Sequence, residues 1–207
     1  MIDELKKYNE RYAANKSHGD ENAKDVFEYA ERGSRLILSA PHATCSFVKK
    51  HEKLADLFTG AIAQYLGMKN HISTIIRTKY APYKVLISDY IFENKLDNHY
   101  FLDLHGFDKD IDYDICLGTA DCLPEDCPYL AEILDIAKKY HLKTIVNHPN
   151  YTGMVGLTGR YQIACGKPNV IQMEIKRYLR DFYNNPDTVL DVTIPFLTDV
   201  IRLYEKD

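Results

Sequence analysis

The sequence predicts an α/β fold of three layers, with helices on both faces of a mostly parallel mixed sheet. Three observations lead there. Short runs rich in β-branched and aromatic residues alternate with segments of helical period, the runs number six, and polar residues gather at their downstream ends. Parallel neighbours need a crossover long enough for a helix, so strand, helix, strand repeats lead to a sheet covered on both sides.

The elements follow in order. The segment "MIDELKKYNERYAANK" is charged throughout and lacks the apolar core of a signal peptide. Residues 15–34 admit two readings: "DVFEYAERGSRLIL" is a helix ended by Gly33, or an edge strand that turns at Arg32-Gly33 into the first central strand. "RLILSA" (35–40), "HISTIIRT" (71–78), "HYFLDLH" (99–105), "YDICLGT" (113–119), "KTIVN" (143–147) and "NVIQMEI" (169–175) read as strands. Between them lie "LADLFTGAIAQYLG" (54–67), closed by Gly67, "YKVLISDYIFENKL" (83–96), and "EDCPYLAEILDIAKKYH" (125–141). The last has its acids first and its lysines last, as the helix dipole prefers. "KRYLRDFYNN" (176–185) and "TIPFLTDVIRLYEK" (193–206) read as two closing helices, the second with Pro195 near its first turn. We expect one domain over 1–207, with 1–34 as a helical or edge-strand extension.

Composition narrows the function. With 27% charged residues, a net charge of −4 and no basic run, the chain has no electrostatic footprint for nucleic acid. No apolar run approaches the roughly 20 residues needed to span a bilayer. Five cysteines without an export signal point to reduced thiols and a cytoplasmic protein, and Cys122 and Cys127 have the wrong spacing for a zinc knuckle. Sixteen tyrosines and no tryptophan suggest half-buried packing with wet hydroxyl ends.

In open α/β sheets, ligands bind beyond the carboxyl ends of the strands. His42 follows the first central strand after Pro41, which cannot continue the ladder and turns the chain out of the sheet. His105 ends "YFLDLH", and Glu174 lies near the end of "NVIQMEIK". Each alone reads as a hydrogen-bonded strand-end residue. Together, two imidazoles and a carboxylate on different strands are the raw materials of a catalytic zinc site with one position open for water. Alternation puts Asp103 and His105 on one face, and Asp103 is the candidate outer carboxylate for a metal-binding histidine. Gln172 and Glu174 likewise share a face. A glutamate among Val, Ile and Met should have a raised pKa, which suits a general base near neutral pH.

"LILSAPHA", "LADLFTGAIAQYL", "FLDLHG", "NHPNYTG" and "VIQMEIKRYLR", in this order, resemble the N-formylglutamate amidohydrolase family, with similar PH, DLH and Q-[LM]-E-I motifs over about residues 35 to 180. The resemblance implies a zinc-carboxypeptidase-like fold of the phosphorylase/hydrolase type, Zn2+ as cofactor, and hydrolysis of the amide of an N-acyl amino acid or short peptide-like substrate. Poly-γ-glutamate hydrolases and N-acyl amino acid deacylases are similar in fold. The resemblance further implies His42, Asp56 and His105 as metal ligands, with Glu174 as base for water activated on the metal. Metallocarboxypeptidases place their third ligand where this chain has Cys45. The amidohydrolases place an acid at the start of the next helix, which matches Asp56 in preference to Glu52 or Cys45.

A substrate carboxylate calls for the two-pronged donor of an arginine. The loop "NHPNYTGMVGLTGRY" offers Arg160 with Asn147 and Asn150, its Gly153, Gly156 and Gly159 allowing close approach, and Arg77 ends the second strand. Two other readings stand beside this one: hydrolysis with Cys45 as nucleophile and His42 or His105 as its base, or a non-catalytic metal- or ligand-binding module. A homo-oligomer is compatible with all three.

Overall fold

Strands composed of Leu, Ile, Ser and Ala without alternation are suited to burial on both faces. Leu36–Ala40 and Ser73–Arg77 are buried at every position, the pattern of sheet strands covered on two sides by helices. The computed structural model describes residues 1–48, 50–120 and 122–205. In chain order the elements are α1 (Ile2–Ser17), β1 (Phe27–Ala30), β2 (Leu36–Ala40), β3 (Ser46–Val48), β4 (His51–Lys53), α2 (Thr59–Asn70), β5 (Ser73–Arg77) and α3 (Ile87–Glu93). They continue with β6 (Tyr100–Phe107), β7 (Ile115–Gly118), α4 (Leu130–Lys139), β8 (Thr144–Val146), α5 (Leu157–Cys165), β9 (Val170–Lys176), α6 (Arg177–Arg180), α7 (Pro186–Thr188) and α8 (Ile194–Leu203).

Seven strands form the central sheet in the order β1-β5-β2-β6-β9-β7-β8. β5, β2, β6 and β9 run parallel, β7 is antiparallel to β9, and β1 is antiparallel to β5. All six expected central strands are present. The ambiguous segment before them holds an edge strand, which pairs with β5 and not with β2, the strand that follows it. Gly33 (φ 74) turns the chain between β1 and β2. β3 and β4 form a separate two-stranded hairpin, unforeseen because three-residue strands carry no readable period.

Alternation along the strands divides the core. Leu36, Leu38, Leu102, Leu104, Ile171 and Met173 pack with Ile62, Leu66, Phe196 and Val200 of α2 and α8 on one face. Ile37, Ile75, Phe101 and Val170 pack with Ile91 and Tyr161 of α3 and α5 on the other. On that second face the strand ends change from apolar to polar. Ser39, Asp103 and Gln172 form one row across β2, β6 and β9, and His105 and Glu174 form the next.

Several expected elements differ from those observed. The helix read from 54 begins at Thr59, because the Asp56 N–H donates to His42 O at 2.8 Å and Phe58 adopts a left-handed conformation (φ 77). The glycine-rich segment read as one loop winds into α5 from Leu157, so Arg160 lies on a helix. The helix read over 176–185 lasts one turn, since the Asp181 carboxylate accepts from the N–H groups of Tyr183 and Asn184 and ends it. The last helix starts earlier than read, at Pro186, and passes through a π turn at Val189–Thr193. Pro195 has no N–H to give the preceding turn, which accounts for the widening there. Lys206, the end of the expected closing helix, lies outside the described residues. No described helix is long and apolar enough to cross a membrane.

Arg180 is 1% exposed and fastens the end of the sheet. Its guanidinium donates to Ile175 O at 3.0 Å, Leu57 O at 2.5 Å and Phe107 O at 3.3 Å, and pairs with Asp108. It lies where a side chain on Gly106 would project, so position 106 must lack a Cβ. Gly118 is similarly confined, since a Cβ there would stand 2.8 Å from the backbone of Tyr151, Thr152 and Gly153. Replacing Arg180 by Met leaves buried carbonyls without a donor, and we expect a loss of roughly 3–5 kcal/mol, read as a lower urea midpoint at unchanged slope.

Candidate active site

The polar rows meet at the carboxyl ends of β2, β6 and β9. Ser39 Oγ donates to Asp103 Oδ1 at 2.5 Å, and Asp103 Oδ2 accepts from His105 Nε2 at 2.9 Å. The other ring nitrogen of His105, Nδ1, faces Asp56 Oδ2 at 3.2 Å. His105 is thus held between two buried carboxylates. Burial alone would lower its pKa, but Asp103 and Asp56 push it up to about 10. Burial would raise the Asp56 carboxyl, but the Lys53 ammonium and the two imidazoles outweigh this and hold it well below the usual carboxylate range. Lys53 Nζ lies 3.1 and 3.3 Å from the two Asp56 oxygens.

His42 stands in the turn after β2, its ring 5.2 Å from that of His105. Its Nδ1 shares a hydrogen bond of 2.9 Å with the Ser46 hydroxyl. Burial and the nearby Lys53 ammonium lower its pKa well below the ordinary value. Glu174 lies across from His105 on one side and Cys116 on the other. Gln172 Nε2 donates to Glu174 Oε1 at 3.0 Å. Burial raises the Glu174 carboxyl to about 7. Burial and the Glu174 charge push the Tyr151 phenol up to about 12. Tyr151 packs on Phe107 with ring centres 5.3 Å apart.

The arginines and the asparagine fare differently. Arg77 is buried, not presented at the surface. Its Nε donates to Pro41 O at 2.8 Å, its Nη2 donates to Val85 O at 2.9 Å, and its Nη1 is buried without a partner. Burial lowers its pKa to about 10. Arg160 is exposed on α5. The Asn147 side chain pairs with the end of β7: its Oδ1 accepts from Thr119 N and its Nδ2 donates to Thr119 Oγ1, both at 2.9 Å. That side chain braces the end of β7 and keeps a second amide N–H. Asn150 lies in the turn, its N–H donating to His148 Nδ1.

Neither Cys45 nor Glu52 stands with His105. Cys45 Sγ lies 4.0 Å from Lys16 O, and burial with the nearby Glu52 raises its pKa. Glu52 accepts from His18 at 3.0 Å. Among the described residues, His18, Cys45 and Glu52 are the group of three whose ligating atoms all lie within 4.8 Å of one another. His42, Asp56 and His105 are adjacent without being drawn that close together. Sequence reasoning missed Lys53, Ser46, Ser39 and Tyr151; only Ser39, in phase with the apolar alternation of its strand, left a signal.

No protein-family model and no curated protein sequence matches the chain. Solved structures do. N-formylglutamate amidohydrolase from Ralstonia eutropha JMP134 superimposes with a TM-score of 0.58 at 13% identity, covering 87% of this chain and 98% of that one. A bacteriophage poly-γ-glutamate hydrolase gives 0.55 at 14% identity, covering 89% of each chain. This chain shares their fold. It is the zinc-carboxypeptidase-like three-layer fold expected from the motifs. A zinc-free form of YNDL is also similar, with a TM-score of 0.50 at 14% identity over 86% of this chain and 92% of that one.

Glu174 supplies a stability test. Its folded pKa of about 7 lies above its ordinary 4.5, so the folded state holds the extra proton and stability falls as pH rises between those values. Glu174→Gln removes that dependence. In metal-free protein at pH 8 the variant should be more stable than the parent by up to ~3 kcal/mol, measured by urea titration, with the difference vanishing near pH 4.

Proposed function

We propose that the protein is a zinc-dependent amidohydrolase that cleaves the amide of an N-acyl amino acid or short peptide-like substrate, N-formylglutamate-like in its acidic group. The observation that carries this reading is His105, braced by Asp103 and facing Asp56, beside His42 and a buried Glu174 at one sheet end. The donor set fits zinc. Two imidazoles and a carboxylate are ligands of the right kind, the far nitrogen of His105 rests on an outer carboxylate, and the Asp56 oxygens already attract a cation, the Lys53 ammonium. His42, Asp56 and His105 would hold the ion, which when bound polarises the amide carbonyl and acidifies water.

The chain's own groups do the rest. Glu174 takes the proton of the attacking water and passes it to the leaving nitrogen, and Gln172 fixes its carboxylate in position. Asp103 and Ser39 keep His105 in one orientation. Arg160, exposed on α5, is the arginine proposed to receive the substrate carboxylate, with Arg77, whose Nη1 is buried without a hydrogen-bond partner, as the alternative. The similarity in fold to an N-formylglutamate amidohydrolase and a poly-γ-glutamate hydrolase supports the reaction class. All five cysteines are free, in keeping with a cytoplasmic enzyme.

Hydrolysis of N-formyl, N-acetyl and γ-glutamyl derivatives of acidic amino acids, with and without chelator, tests the reading. We expect chelation to abolish activity, and Glu174→Gln to lower it by about 10²–10⁴ with zinc retained. Full activity in that variant, or a zinc-loaded protein inert towards all the amides, would overturn it.

A further inference from the structure

Three side chains that the proposed reaction does not use converge where the end of α1 meets the β3–β4 hairpin. His18 follows the last turn of α1, Cys45 lies in the turn after β2, and Glu52 is on β4. One ligating atom from each lies within 4.8 Å of the other two, and His18 Nε2 is 3.0 Å from Glu52 Oε2. An imidazole, a thiol and a carboxylate are the three donor types that zinc takes.

The backbone holds these groups in place. The Cys45 N–H donates to Ser17 O at 2.8 Å, the Tyr80 N–H donates to His18 O at 2.7 Å, and the imidazole stacks on Tyr80 at 4.5 Å. Asn15, Lys16 and Ser17 all have positive φ (51, 58 and 67). Left-handed backbone costs non-glycine residues roughly 1–2 kcal/mol each, and this strained run is what turns His18 towards the hairpin. The thiol lies at the bottom, 2% exposed, while the imidazole and carboxylate side chains, 38% and 41% exposed, leave the remaining side to solvent.

The cluster is separate from the centre at His105. Neighbouring residues of a strand point to opposite faces, and on β4 Lys53 reaches Asp56 while Glu52 reaches His18.

We propose that His18, Cys45 and Glu52 form a second zinc site that fastens the end of α1, the turn after β2 and the hairpin together. On binding, the Cys45 thiol gives its proton to solvent and the sulfur joins the neutral imidazole and the ionised carboxylate as ligands.

Cobalt(II) is the probe, because a cobalt–thiolate bond absorbs in the near ultraviolet and no other cysteine lies in the cluster. Equilibrium dialysis of the full chain should give two ions per chain and a thiolate band. Cys45→Ser should bind one ion and lack the band. His18→Ala and Glu52→Gln, which alter exposed side chains and leave the buried thiol in place, should weaken the band's cobalt affinity at least tenfold. His42→Ala should keep the band. A parent protein without the band, a band indifferent to His18→Ala and Glu52→Gln, or a band lost in His42→Ala would overturn the proposal, the last by assigning the sulfur to the other centre. The band needs no turnover, so a protein that shows it and hydrolyses no amide overturns the proposed function alone.

Discussion

One imidazole between two buried carboxylates is the contact on which this end of the sheet depends. Asp103 is wholly buried, and an ionised carboxylate in that position would cost several kcal/mol without partners. His105 and Ser39 supply them. Asp56 in turn is drawn inward by His105 and Lys53, and its N–H fixes His42 through the backbone. Remove the central ring, and the charges arranged around it lose the group that makes their burial tolerable. The same arrangement leaves Glu174 with its proton easily gained and lost, because burial disfavours its anion more than the neighbouring His105 imidazolium favours it.

What the sequence revealed was what period and local chemistry can encode. Two-residue alternation is a property of a strand by itself, so Asp103 with His105, and Gln172 with Glu174, could be paired on one face before any register was known. The six central strands were legible for the same reason. Lys53, Ser46 and the hairpin that bears them were not, because strands of three residues are too short to show a pattern. The start of α5 was hidden by Gly153, Gly156 and Gly159, which lower helix propensity where the helix begins. Arg160 was therefore assigned to a loop. The pairing of Asn147 with Thr119 left no sign in the sequence, because it depends on the packing of two strands and not on either segment.

The hairpin changes how the motif around Pro41 is understood. Pro41 ends β2 and lets the chain leave the sheet, with Arg77 holding the proline carbonyl from the next strand. Within a few residues the turn supplies His42 to one cluster and Cys45 to another. Their spacing suggests a common task, but the fold sends the two side chains to different partners, Ser46 and Glu52. Spacing along a turn is poor evidence for convergence, because its side chains need not share a face.

Gly106 follows His105 and reads, in "DLHG", as part of the chemistry. Its smallness has a different cause: the Arg180 guanidinium occupies the space a Cβ would fill. The two positions therefore form one exchangeable unit. A relative that gave up Arg180 would be free to carry a larger residue at position 106, and one that filled position 106 would have to do without the arginine. Comparison of relatives would show the glycine tracking a distant cation.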